Sequence, residues 1–184
     1  MLVVVIGSIP GTIIYNRLQP RSTAGFEPEE VIRTFYTSMN TLDHMTMEDA
    51  VVDGAGRDMI REVTNLFVLD RQRMSVEMQS GFVDAQAWRD AGMPALSNNR
   101  SPYGVANLTL EALSPASPEE LRFLVRYERW MPDYDAAEQT GTLRYLGFDV
   151  ADDVFLRLDR EDWVMYRIDR VEEERLDLAD LRNR

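Results

Sequence analysis

Residues 26–42 read F-E-P-E-E-V-I-R-T-F-Y-T-S-M-N-T-L. Val31, Ile32, Phe35, Tyr36, Met39 and Leu42 fall at offsets 0, 1, 4, 5, 8 and 11, one apolar stripe at helical period. Glu29, Glu30, Arg33 and Thr37 fall off it. Pro28 suits the first helical position, where a missing N–H costs nothing. Phe26 and Val31 are spaced as a hydrophobic staple. Glu29 and Glu30 sit where the helix dipole favours negative charge. The stripe is wide and aromatic, so this helix is expected to pack on a broad surface such as a sheet.

Before it, residues 1–15 read M-L-V-V-V-I-G-S-I-P-G-T-I-I-Y, with no charge until Arg17. About fourteen apolar residues fall short of the ~20 that span a bilayer as a helix. A short or N-terminally truncated membrane anchor is the preferred reading; a cleaved signal peptide, a buried N-terminal strand and an interfacial segment stay open. The usual basic stretch of a signal peptide is missing. Arg17 and Arg21, taken alone, place the C-terminal side in the cytoplasm, and basic residues ahead of Met1 in a longer product would reverse that. Residues 16–25 read as a linker punctuated by Pro20 and Gly25.

After the first helix, residues 43–45 end or kink it, and Thr46 with Asp49 resembles a capping box for a short helix through Val52. Residues 53–56, D-G-A-G, predict a turn. Ile60, Val63, Leu66 and Phe67 predict a second amphipathic helix over 57–67. The period then changes to two. Met74, Val76 and Met78 alternate with polar residues and predict a half-buried strand. Residues 84–103 read as a long loop with a short helix over 84–91. Further strands are predicted around 106–112, 121–127, 143–148 and 154–158. A hairpin partner follows from Trp163 to Val171 after the turn Arg160-Glu161-Asp162. Turns at 114–118 and an acidic loop at 132–141 separate them. Residues 172–184 read as a charged tail, with Leu176, Leu178 and Leu181 able to form a helical turn. Helices first and strands after predict an α+β fold, helices on one face of an antiparallel meander.

Two stretches, V-I-R-T-F-Y-T-S-M-N-T-L-D at 31–43 and D-V-F-L-R-L-D-R-E-D-W-V-M-Y-R-I at 153–168, carry a resemblance to the nuclear transport factor two-like (cystatin-like, SnoaL-like) superfamily. It covers residues 27–171. The resemblance implies N-terminal helices packed in the concavity of a strongly curved, cone-like antiparallel sheet. It also implies one of two functions. Some members are tethered extracytoplasmic domains, in secretion-system scaffolds and ahead of penicillin-binding modules. Isomerase- and dehydratase-like members use an Asp or His in the cone as general base.

Composition limits the choice. The 184 residues are 45% hydrophobic and 28% charged, as in a globular chain. A net charge of −12 argues against nucleic acid as a partner. All 20 basic residues are Arg. Cysteine is absent and His44 is the lone histidine, so neither a thiol nucleophile nor a multi-histidine metal site is available. No cofactor motif and no nucleophile elbow occurs. Asp43 and His44 form the one carboxylate–imidazole adjacency, a weak catalytic candidate, because neighbours on a helix point about 100° apart. Tyr36, Met39, Trp88, Tyr103, Tyr127 and Trp130, with Trp163, are candidates to line a pocket; core packing is the commoner use of such aromatics. The acidic groups Asp149, Asp152, Asp153 and Asp159, Glu161, Asp162 lack calcium-loop spacing and read as solvated turns. Arg122, Arg126 and Arg129 read as cross-strand partners of acidic residues. The expectation is a membrane-tethered, non-catalytic interaction or assembly module of the cell envelope, its domain extracytoplasmic (periplasmic) with a cytoplasmic domain as the alternative, working through a protein partner or self-association. The alternative is a small-molecule-binding or isomerase-like enzyme. The discriminator is whether the interior is open and polar or filled by Phe35, Met39, Met74 and Phe123.

Overall fold

A computed structural model describes residues 20–96, 100–114, 119–135 and 144–177. The element order is α1 (Pro28–Ser38), α2 (His44–Asp49), α3 (Arg57–Glu77), β1 (Phe82–Asp84), α4 (Ala85–Asp90), β2 (Ser101–Leu113), β3 (Glu120–Asp133), β4 (Arg144–Asp159) and β5 (Asp162–Arg175). The fold is α+β. The strands form one open sheet in the order β1-β2-β3-β4-β5, with β1 parallel to β2 and the rest antiparallel.

α1 forms where its stripe predicts. Pro28 opens it, and the Glu27 N–H donates to Glu30 Oε2 at 3.0 Å. Val31, Ile32, Phe35, Tyr36 and Met39 are all fully buried. Each such side chain contributes about 1.5–3 kcal/mol of burial. They join one core with Val63 and Leu66 of α3 and with Val105, Val125, Val154, Leu156 and Met165 of the sheet. Phe26 packs against the same core.

α2 starts earlier than expected. Its N-cap is Asp43, whose Oδ1 accepts the Thr46 N–H at 3.1 Å and whose Oδ2 accepts the Thr46 hydroxyl at 2.7 Å. Asp49 instead accepts the Ser22 N–H, tying the incoming chain to α2.

The largest departure is α3. The expected strand at 74–78 is the last turn of a 21-residue helix and its cap. Val76 is 82% exposed and Met78 89% exposed, so their alternation reflects no buried face. Met74 lies on the same overhang, outside the core it was expected to fill. Here the local helix preference of R-Q-R-M-S-V-E, with Arg73 bridging Glu77 at i,i+4, outweighs a three-residue period-two pattern.

The expected strands at 143–148 and 154–158 are one strand, β4, paired with β3 without interruption from Arg144 to Arg157. β5 continues through Arg175, so Glu172, Glu173 and Glu174 belong to the sheet and not to a tail. Bulges interrupt the pairing between Ala106 and Thr109, Ala151 and Asp152, and Phe155 and Leu156. Asn107 at the first has φ 54°. β1 was not expected at all. It is three residues long, and it carries the chain from α3 into α4, which forms within the expected range 84–91. Pro115–Pro118, most of the acidic loop after Asp135, Leu178 and Leu181 lie outside the described residues, as do residues 1–15. Among the described residues no helix is long and apolar enough to cross a membrane.

Candidate functional site

The interior holds a polar network centred on Asp152, which is fully buried. β4 places it. Val150, Asp152, Val154 and Leu156 share one face by the two-residue period, and that face is the core face. The Tyr36 hydroxyl of α1 and the Tyr127 hydroxyl of β3 both donate to Asp152 Oδ2, each at 2.8 Å. Arg170 Nε of β5 donates to Oδ1 at 2.5 Å, and its Nη2 reaches the Tyr127 hydroxyl at 3.2 Å. The β5 bulge beside Asp152 sets Arg170 directly across from it. Arg170 also pairs with Glu173. Burial, then the Asp152 charge, push both phenols above their ordinary value of 10. Burial alone would lower Arg170, but Tyr127 and Asp152 together raise it.

A second pair lies one step along β3. Arg129 pairs with Glu62 of α3, and the Tyr103 hydroxyl donates to Glu62 at 3.0 Å. The two assemblies face each other across Tyr127 and Arg129, neighbours on one strand face. Together they pin α1, α3 and the sheet.

On the opposite face of β3, Glu128 is 8% exposed. It accepts two bonds from Arg89 of α4, at 2.7 and 2.8 Å, one from Asn107 at 2.9 Å and one from the Trp130 indole at 3.2 Å. Burial would raise its pKa; the donors and the Arg89 charge outweigh that and hold it below 4.5. Trp88 and Trp130 pack edge to face at 4.9 Å, with Tyr145 beside them. Gly147, cross-strand from Trp130, leaves room for that ring: an added Cβ would stand 2.8 Å from it.

The residues offered as one pocket therefore divide. Tyr36, Met39, Tyr103 and Tyr127 lie in the main core, and Trp88 and Trp130 lie beneath α4 on the other face. Trp163 packs at the edge of the main core. Asp43 is an exposed helix cap. The His44 ring stacks 5.2 Å from Phe67, and its Nδ1 is buried without a hydrogen-bond partner. The Asp43 carboxylate bonds Thr46, so the two form no dyad. Arg122, Arg126 and Arg129 pair with Asp153, Glu172 and Glu62. Of the acidic turn groups, Asp152 is the correction: it is buried and paired where a solvated residue was expected. Asp153 and Asp159 hold Arg122 and Arg21, and Asp162 accepts the Gly25 N–H. No cluster of three or more His, Asp or Glu among the described residues is placed to hold a metal ion.

Two depressions flank the turn between α2 and α3. One, of about 400 Å3, runs from Asp53 and Arg57 past Ile168 to the Asp152–Arg170 pair. The other, of about 380 Å3, lies between α2 and α3 over Val51, Ala55, Ile60 and Thr64. Comparison of the chain with protein-family models, with curated proteins and with solved structures returned no match.

Proposed function

We propose that this chain is a membrane-tethered, non-catalytic interaction or assembly module of the cell envelope, built on a nuclear transport factor two-like domain with its helices in the concavity of a cone-like sheet. The bulges in β2 and β5 support the curvature, because a bulge bends a strand and increases its twist. The shared core of α1, α3 and β2–β5 supports the placement of the helices.

One observation carries the non-catalytic reading: both oxygens of Asp152, the one fully buried carboxylate among the described residues, are already engaged. Asp152 receives two phenols on Oδ2 and a guanidinium on Oδ1, which fill three of its roughly four acceptor sites. Phe35 and Met39 fill the space beside it and are fully buried, with Phe123 6% exposed. The tether rests on the apolar run at 1–15. The open outer face of β3–β5 is the proposed partner surface, where Phe155 lies beneath Arg122 and Arg167.

A second reading, an isomerase-like enzyme, has one observation in its favour: the 400 Å3 depression reaches Asp152. Arg170 lies on that approach and must leave before Asp152 can act as base.

Fractionation of the native protein tests the first reading. The expected result is carbonate-resistant membrane association, with protease digestion only after the outer envelope is opened, and crosslinks to a protein partner. A protein found wholly in the cytoplasmic soluble fraction overturns the tether.

A further inference from the structure

We infer that the groove between α2 and α3 binds a small amphiphilic carboxylic acid, its apolar body on Val51, Ala55 and Ile60 and its carboxylate on Arg57. This goes beyond the tethered-module reading and does not depend on it.

Three observations converge on Arg57. Its backbone N–H donates to the Gly54 carbonyl at 3.3 Å, but its side chain has no hydrogen bond, ion pair or ring contact among the described residues. Its neighbours do: Arg61 pairs with Asp58, Arg157 with Asp53 and Arg170 with Asp152. In a chain with 32 acidic and 20 basic residues, an arginine without a carboxylate beside two acidic residues is a cation left over. Second, Arg57 is the first residue of α3, where the helix dipole disfavours positive charge. Folding gains nothing from a cation there. Third, the guanidinium lies over Gly54, at φ 79°, where a Cβ would stand 2.6 Å from Arg57 Nη2. The turn thus leaves space for the arginine beside both depressions, since Gly54, Ala55 and Arg57 line each of them.

The groove side is mainly apolar and about 380 Å3, within the range of small-molecule sites. Glu48 and Arg61 also line it. An acid that lays its chain along Ile60 and Val51 brings its carboxylate to Arg57 and keeps it away from Glu48. The −12 field repels a free anion, so binding requires both the apolar contact and the local arginine.

The test uses the full chain, methyl-labelled, titrated with decanoate and separately with decanol. The expected result is saturable decanoate binding that shifts the Val51 and Ile60 methyls. Binding is at least tenfold weaker for decanol and for Arg57→Gln, whose melting temperature stays at or above that of the parent. Thr64→Glu, which puts a carboxylate on a residue lining the groove, also abolishes the shifts. The inference is overturned if Val51 and Ile60 do not shift saturably below millimolar decanoate, if decanol binds as tightly, or if Arg57→Gln binds equally well. A lowered melting temperature for Arg57→Gln likewise overturns it, because the arginine would then serve the fold.

Discussion

Asp152 shows how much one residue can organise. Three donors from three elements converge on its carboxylate: α1 through Tyr36, β3 through Tyr127 and β5 through Arg170. Removing one partner of a buried ion pair strands the other, at a cost of about 3–5 kcal/mol. Asp152→Asn is therefore expected to lose about 3–5 kcal/mol in urea unfolding, and Tyr36→Phe about 1.5–3 kcal/mol, the range for a hydrogen bond to a charged group. A loss under 1 kcal/mol for Asp152→Asn would show the network to be dispensable. Both residues were legible in part. Tyr36 stands on the helical stripe, and Asp152 has the same parity as Val154 and Leu156. An aspartate in an apolar phase is a buried-carboxylate signal, but the run D-V-A-D-D-V reads equally well as a polar turn until the partner strands are known.

At the scale of elements, α3 decides what is core and what is overhang. Val63 and Leu66 are its buried residues, whereas Val68, Leu69, Val76 and Met78 face solvent. Leu66→Ala is expected to cost about 2–5 kcal/mol, and Val76→Gln to change stability by less than about 0.5 kcal/mol. Had 74–78 been a half-buried strand, Val76 and its neighbours would have split between solvent and core, and substitutions at Met74 or Met78 would have been costly. The β4–β5 hairpin offers a second check. Arg160 and Glu161 have φ 55° and 77°, the two positive values of a tight hairpin turn that favours Asn-Gly. Left-handed backbone costs a non-glycine residue about 1–2 kcal/mol, and glycine returns part of that as lost chain entropy. Glu161→Gly should thus raise stability by roughly 0.5–1 kcal/mol, measured by thermal unfolding. An unchanged or lower midpoint would mean the turn is not strained.

For the molecule as a whole, buried titratable groups set the pH range of the fold. Glu128 is held below 4.5 when folded. A depressed carboxylate stabilises the fold above its unfolded pKa, and that stability is lost as pH falls through the folded value. The phenols of Tyr36, Tyr103 and Tyr127 are raised above 10, so their contribution is full below pH 10 and lost as pH rises beyond it. Melting temperature against pH is expected to be flat between these limits and to fall on both sides. Glu128→Gln should flatten the acid side while lowering the plateau, because Arg89 loses its partner. An acid side unchanged by Glu128→Gln would assign it to other carboxylates.

The sequence by itself determined α1, the α+β order and the positions of most strands. These follow from local periods of 3.6 and 2. Tertiary structure decided the rest. The predicted strand ends at Tyr127, so only the continuation of β3 to Asp133 puts Tyr127 and Trp130 on opposite faces and divides the pocket candidates between two clusters. Residues 74–78 are too short a pattern to distinguish strand from helix end, and only the absence of a packing partner shows their apolar side chains to be exposed. The pairing of Asp152 with Arg170 depends on a bulge in β5, and that of Glu62 with Arg129 on contact between α3 and β3, 67 residues apart in sequence. Arg57 became notable only when every nearby arginine was seen to hold a carboxylate. Which charges meet is a property of the folded chain, because residues far apart in sequence acquire neighbours only through packing.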